Sequence, residues 1–448
     1  MPIGSKKPFI WPAARRRSFI SANLSTNILP GGTYPFTGAA RPAAVDRKPR
    51  AAVLVSCELR CLMKLALPLR CLLLLPGVIL SAQTTRKVTD EEVRQVHASA
   101  LLIDTHNDVT SDTVKGLDIG AARTQGHTDI PRLRRGGVGA VFFAAYVGAE
   151  YARKGQAAHR AIEMIDTIRH DIAARHADDF QLATSADEIL AARKAGKIAA
   201  LIGIEGGHAI EDSPRLLRQF YSLGVRYMTL THSNHNHWAD SSGEAGAPNN
   251  GLAPALGKQI VAGMQRLGML VDISHVSDKT FWDVLAAAQA PPFASHSSCR
   301  ALSKIPRNMT DEMIAALAKK GGVIQINFGC EFLSQTSADT SSWSNPALRG
   351  KGRKEGSPTP ATLADVVAQI EHAIKIAGED GVGIGSDFDG VPCVPRGLSD
   401  VSQFPALTRA LLERGHSPAR IRKIYGENLL RVMRAAERFS SAAAGRQQ

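Results

Sequence analysis

The chain has 448 residues and a formal charge of +13, from 54 Lys and Arg against 41 Asp and Glu. Read alone, that excess suggests a nucleic-acid or membrane-surface partner, but residues 1–83 hold 12 basic and 2 acidic side chains, a net +10, which leaves only +3 for residues 84–448. With 44% hydrophobic residues, 21% charged and 39 Gly, the remainder is globular, neither collagen-like nor disordered in bulk, and makes no claim on a polyanion, so no nucleic-acid partner is expected.

Residues 1–62 combine Arg15-Arg16-Arg17 with scattered Pro and Gly and show no sustained apolar period, so they are assigned no fold. From Met63 the texture changes to Met63-Lys64, an apolar stretch Leu65–Leu80 broken by Arg70, and a small-residue exit at Ser81-Ala82-Gln83. A charged start, an apolar centre and a cleavage-like end make residues 63–83 a signal peptide, too short and interrupted for a stable membrane span. The expectation is that translation begins at Met63, that 1–62 is an upstream extension arising from gene-start assignment, and that the mature protein is periplasmic or secreted. Three of the six cysteines lie in the leader, and Cys299, Cys330 and Cys393 allow at most one internal bridge, whose pairing stays open.

Past Gln83 one pattern repeats, an apolar run rich in Val and Ile that ends in polar residues and gives way to an amphipathic segment. Eight such runs stand at Leu101–Asp104, Val138–Val147, Ala199–Ile204, Arg226–Thr231, Met269–Ile273, Pro292–Ser295, Gly322–Asn327 and Gly381–Gly385. Helices are expected at Glu91–Ala100, Gln156–Ala177, Ala186–Ala195, Leu252–Leu267, Asp311–Lys320 and Thr362–Ala377, with Thr310 as an N-cap and one or two helices over Ser417–Arg438. Near-continuous apolar strands alternating with helices indicate a parallel sheet covered on both faces, and eight units close an α/β barrel of the (β/α)₈ type. An open doubly wound sheet is the alternative, but no Gly-rich dinucleotide loop follows the first strand. Residues 84–448 therefore form a single catalytic barrel domain. Ser334–Pro360, rich in Ser, Thr, Gly and Pro, is too long for an ordinary connection and reads equally as a lid, a subunit-contact loop or disorder.

The ionisable residues fall where barrel enzymes keep their chemistry. His106 and Asp108 follow the first strand, Glu205 the third, His232 the fourth, His275 the fifth, His296 the sixth, and Asp387 and Asp389 the eighth. Each alone is more often a hydrogen-bonded structural residue. Four histidines and several carboxylates at the same end of one barrel are costly to bury unless they hold a metal ion. With no cysteine ligand, Zn²⁺, Mn²⁺ or Co²⁺ fits, zinc above all for a hydrolase. His159, His170 and His176 lie on a polar helical stretch and read as solvated; His208, His235, His237, His127, Asp129 and Asp389 read as structural.

Seven segments in order, Ile103-Asp104-Thr105-His106-Asn107-Asp108, Ile204-Glu205-Gly206-Gly207-His208, Leu230-Thr231-His232, Asp272-Ile273-Ser274-His275, Ala294-Ser295-His296-Ser297, Arg307-Asn308 and Gly385-Ser386-Asp387-Phe388-Asp389-Gly390-Val391, resemble the membrane (renal) dipeptidases of the zinc-dependent barrel hydrolases. The resemblance runs from about Val96 to Arg438. It implies two zinc ions per subunit, one on His106 and Asp108, the other on His275 and His296, with Glu205 bridging, and hydrolysis of dipeptides by a hydroxide between the metals. It further implies that His232 binds substrate and steadies the oxyanion, that Arg307 clamps the terminal carboxylate, that Asp387 carries the proton to the leaving amine, and that the enzyme is a homodimer. A D-residue on the carboxyl side is within the family's range. The chain departs from its mammalian members at Ser303 and over Ser233–His237, where their cysteines are missing, and at Gly329, where they have tyrosine; its tail Ser440–Gln448 lacks an apolar stretch for a lipid anchor. A barrel amidohydrolase acting on a cyclic amide or lactam is the competing enzymatic reading, and an inactive ligand-binding barrel the non-enzymatic one.

Overall fold

A computed structural model describes residues 86–342, 344 and 359–445. The extension and signal expected over 1–83 lie outside the described residues. Among the described residues there are nine strands: β1 (Leu102–Asn107), β2 (Val138–Tyr146), β3 (Phe180–Leu182), β4 (Ile198–Glu205), β5 (Val225–Thr229), β6 (Leu270–Asp272), β7 (Phe293–Ser297), β8 (Val323–Ile326) and β9 (Val382–Ile384). Every pairing is parallel, in the order β1-β2-β4-β5-β6-β7-β8-β9. These are the eight expected runs. The unforeseen β3 pairs with the first half of β4, through Phe180 and Ile198, where β5 has not yet begun. The two ends of the sheet meet at an Asn107–Phe388 bridge, and the Asp108 and Asp387 amides donate to the Phe388 and His106 carbonyls (2.9 and 3.0 Å). The expected parallel α/β barrel is thus nearly closed, with a narrow seam between β1 and the segment after β9.

Helices cover the outside. Thr89, Ser185, Ser213, Ser277, Thr310 and Ser417 each precede one and accept the amide three residues on, a cap worth roughly 1 kcal/mol apiece. The helix expected from Leu252 starts instead at Leu256, because Leu252 bridges Ala239 and Pro254 turns the chain. The helix expected over Gln156–Ala177 runs as Ala157–Thr167 and then widens through Ile168–Ala174. Pro214–Ser222, Asp278–Ala287 and Phe404–Glu413 are additional helices. Within the 334–360 segment Gln335–Thr340 form a helix that buries Ser337 and Ala338, and residues 343 and 345–358 lie outside the described residues. Among the described residues no helix is long and apolar enough to cross a membrane.

Alternation along the strands sets the barrel's inner face. Phe142 of β2 and Phe293 of β7 pack against Tyr227 of β5, with ring centroids 5.2 and 5.4 Å apart. Because these rings come from strands that are not neighbours, they fill the interior and form a floor beneath the chemistry. Cys330, after β8, is joined by a disulfide to Cys393, after β9, and its amide also donates to the Cys393 carbonyl (3.0 Å), while Cys299 is a buried free thiol. The bridge closes a loop with a sequence separation of 63 residues. Replacing both partners by serine is expected to cost about 2–4 kcal/mol, read as a lower denaturant midpoint in equilibrium unfolding. An unchanged midpoint would mean that the backbone contacts alone hold the two loops.

Candidate metal centre

At the carboxyl ends of the strands the barrel gathers ionisable side chains from β1, β4, β7 and the loops after β5, β6 and β9. Glu205, the last residue of β4, stands at the middle. Its Oε1 lies 2.9 Å from His275 Nε2, 3.3 Å from His296 Nε2 and 3.8 Å from His232 Nε2, and its Oε2 lies 3.6 Å from His106 Nε2. Asp108 Oδ2 is 3.1 Å from the same His106 nitrogen, with Asp387 Oδ1 farther off at 4.0 Å. All five expected ligands, His106, Asp108, Glu205, His275 and His296, are therefore brought together and buried. His232 and Asp387 stand at the rim and line the cavity above, a space of about 290 Å³. Arg307 is not a surface ion pair but is buried, donating to Ser297 Oγ (2.9 Å) and the His296 carbonyl (2.7 Å), with its guanidinium 5.5 Å above the Phe332 ring.

Local backbone geometry delivers these groups. Phe293 faces the interior, so a strict two-residue alternation would turn His296 outward. Ala294 and Ser297 pair with Ile324 and Ile326, three steps against two, and this bulge re-aims His296 until its ring stacks on His106 at 3.7 Å. A similar extra residue sits in β1, where Asp104 and Asn107 pair with Val141 and Phe143 around His106. His275, Asp387 and Asp389 have φ of 66°, 61° and 66°, left-handed conformations that non-glycine residues adopt at a cost the surrounding fold must offset.

Supporting contacts fix which nitrogen faces the centre. Ser295 Oγ donates to Asp272 Oδ2 (2.6 Å), so it accepts from His296 Nδ1 (2.7 Å) and leaves the Nε2 lone pair free. Asp272 also accepts from Thr229 Oγ1 and from the amides of Ser274 and Ser295, tying β5, β6 and β7 together. His106 Nδ1 meets the Tyr227 hydroxyl (2.8 Å), which reaches it because residue 203 is glycine: a Cβ there would lie 2.0 Å from the Tyr227 ring. Asp104 accepts from the Ser386 amide and hydroxyl across the seam, and burial pushes its carboxyl up to about 6. The sequence alone does not mark Tyr227, Asp272, Ser295 and Asp104 as supports, although Asp104, Asp272 and Ser295 stand within the dipeptidase-like segments.

The chemistry of this donor set fits metal ions. Burial pushes His275 and His296 well below the ordinary imidazole range, so both are neutral, and the His296 lone pair is directed at a carboxylate, an arrangement that repels unless a cation lies between. His106 Nε2 and Asp108 Oδ2 are buried with no hydrogen-bond partner among the described residues. Burial opposes a charge on His106, yet Tyr227, Asp108 and Glu205 raise it well above the ordinary range: the surroundings call for positive charge at that nitrogen. Two carboxylates are driven apart. Burial acts against ionised Glu205 but His106 and His232 hold it well below the usual carboxylate range, whereas burial together with Asp108 and Glu205 raises Asp387 well above it. The first suits a permanent ligand, the second a proton carrier.

Gly390 makes room for both site carboxylates, since a Cβ there would lie 2.3 Å from Asp108 Oδ2 and 2.4 Å from Asp387 Oδ1. Its backbone is outside the left-handed region, so Gly390→Ala is strained by contact rather than by conformation. The expected result is a fall in kcat/KM of about 10²-fold with little change in Tm, because displacing a reacting group by about 1 Å is worth that much. A variant with wild-type kcat/KM would show that the two carboxylates can shift freely.

Other histidines divide as follows. His159 and His170 are exposed as expected, but His176 is half-buried, its Nε2 2.8 Å from Asp118 Oδ1, because the widened turn before it rotates the ring inward. His208 is buried, with Nε2 at the Val147 carbonyl (2.8 Å); Asp129 caps the helix Ile130–Arg135; and Asp389 Oδ1 accepts from the His127 amide (2.7 Å). These remain structural, except that Asp389 also lines the cavity.

Residues 90–447 match the family described as membrane dipeptidase (peptidase family M19). Dipeptidase verJ of Clonostachys rogersoniana is 38% identical over 359 residues, covering 77% of this chain and 86% of that protein. An uncharacterised dipeptidase of Schizosaccharomyces pombe is 35% identical over 373 residues, covering 79% and 84%. Among solved structures, a metallopeptidase from Rhodobacter sphaeroides, liganded with a phosphinate mimic of the dipeptide L-Ala-D-Ala, superposes with a TM-score of 0.65 at 26% identity, covering 75% of this chain and 99% of that one.

Proposed function

The chain belongs to the membrane dipeptidase family, metal-dependent hydrolases of dipeptides, and from that membership we propose that it works with two zinc ions, His106 and Asp108 holding one, His275 and His296 the other, and Glu205 both. The observation that carries this is Glu205 itself, a buried carboxylate whose two oxygens face imidazoles from opposite sides of the barrel. When bound, such ions polarise a carbonyl and lower the pKa of a water enough to make it a nucleophile at neutral pH.

The chain's own residues supply the rest. Asp387 takes the water's proton on its cavity-facing carboxylate, held in place by Asn327 Nδ2 (2.7 Å to Oδ2), and returns it to the leaving amine. Burial keeps His232 below the ordinary imidazole range, so it donates as a neutral imidazole toward the oxygen on which charge develops; the Tyr146 ring, edge-on at 4.8 Å, fixes its orientation. Arg307 holds the substrate's terminal carboxylate, a planar donor pre-oriented by two hydrogen bonds and the Phe332 ring. The dipeptide mimic bound by the Rhodobacter sphaeroides relative supports an L,D-dipeptide among the substrates. Export as a periplasmic or secreted protein is supported by the Cys330–Cys393 bridge, since such bonds persist in oxidising compartments, and N-terminal sequencing of the natural product tests it. The homodimer implied by the family is checked by light scattering.

The deciding experiment is a metal count on the purified protein combined with release of free amino acids from L-Ala-L-Ala and L-Ala-D-Ala. Two zinc ions per chain, with hydrolysis abolished by a chelator and restored by Zn²⁺, is the expected result. Hydrolysis that persists in fully chelated protein would refute the metal-dependent reading.

A further inference from the structure

The cavity holds more negative charge than the metal centre and the proton carrier use. Glu331 lies on the short helix Cys330–Leu333 after β8 and lines the cavity beside Phe332. The residue is only 1% exposed. Oε1 accepts from Ser341 Oγ (2.8 Å), but Oε2 has no hydrogen-bond partner among the described residues. A carboxylate oxygen withdrawn from water without a donor is costly, and a ligand that brings a charged donor removes that cost most effectively.

Position says which part of a substrate meets it. Phe332, the next residue, lies under the Arg307 guanidinium. Resting on the dipeptidase reading above, in which Arg307 holds the terminal carboxylate, Glu331 stands beside the carboxyl-terminal residue of the substrate. The same wall carries the apolar side chains of Phe332, Val391 and Pro392. An apolar wall that ends in an unpaired carboxylate matches a long methylene stem tipped with a cation. We propose that Glu331 is the counter-ion for a cationic side chain, of the lysine, ornithine or arginine kind, on the carboxyl-terminal residue of the dipeptide.

The test compares kcat/KM of the zinc-loaded enzyme on Ala-Lys and on Ala-norleucine, which has the same stem without the charge. Wild type is expected to prefer Ala-Lys by at least about tenfold, in the range of a charge-assisted hydrogen bond, and Glu331→Gln to bring the ratio within about threefold of one. The ratio does not depend on how much of a preparation is active, so partial misfolding of the variant does not disturb it. Substrate chemistry gives an independent arm: on wild type, acetylating the lysine Nε of Ala-Lys is expected to remove the preference. A wild-type ratio near one, with both peptides cleaved, overturns this proposal and leaves the dipeptidase reading intact. A ratio unchanged by Glu331→Gln also overturns it. If neither peptide is cleaved, the dipeptidase reading fails and the proposal with it.

Discussion

Glu205→Ala is expected to lose metal and activity together. The carboxylate faces His106 through one oxygen and His232, His275 and His296 through the other, so it spans both halves of the centre. Without it, the cations proposed for the centre would be left with Asp108 as their close anionic partner. Removal of a single preorganised electrostatic contact costs roughly 10²–10³ in rate, and here the metal leaves as well, so kcat/KM should fall by at least about 10³-fold. Metal analysis after gel filtration, beside the rate, checks both halves of the expectation. A variant that retains two ions and near-wild-type turnover would remove Glu205 from the centre.

Asp387→Asn is expected to separate the two properties. Its carboxylate lies farther from His106 than that of Asp108 does, and asparagine preserves its volume and an oxygen able to accept from Asn327. Metal content should therefore stay at the wild-type level while kcat drops by about 10²–10⁴-fold, the usual contribution of a general base, with KM nearly unchanged. Parallel loss of metal would make Asp387 a ligand, and preserved kcat would exclude it as the proton carrier. Together the two variants distinguish a group that holds the ions from one that moves a proton beside them.

Much of this arrangement is legible in the chain itself. All eight runs became barrel strands, because β-branched and apolar residues buried on both faces leave a parallel sheet as the stable arrangement. The gathered site residues are legible because His106, Glu205, His275 and His296 each stand at the polar end of such a run. What escaped has identifiable causes. β3 is three residues long, too short for any period to appear. The bulges in β1 and β7 depend on pairing with a neighbour, which one strand's sequence does not reveal, and His296 turns inward only because of one. Tyr227 looks like an ordinary apolar strand residue until Gly203, 24 positions earlier, opens the space for its ring. The polarity around His176 points to a solvated ring, but a widened helical turn aims it at Asp118.

The seam between β1 and the segment after β9 has a dynamic corollary. Two backbone amides, those of Asp108 and Asp387, donate to backbone carbonyls across it, and beside them the Ser386 amide and hydroxyl donate to the Asp104 carboxylate. Local opening of a fold begins where few hydrogen bonds cross, so the seam is where the barrel should breathe first. A ligand that binds only the closed form opposes that opening in proportion to its affinity. Amide hydrogen exchange at Asp108 and Asp387 should therefore be fast in the metal-free protein and slow by orders of magnitude once the ions are bound, while amides at the β4–β5 pairing on the opposite side change little. The ions would then act as the fastening of the barrel as well as its reagents.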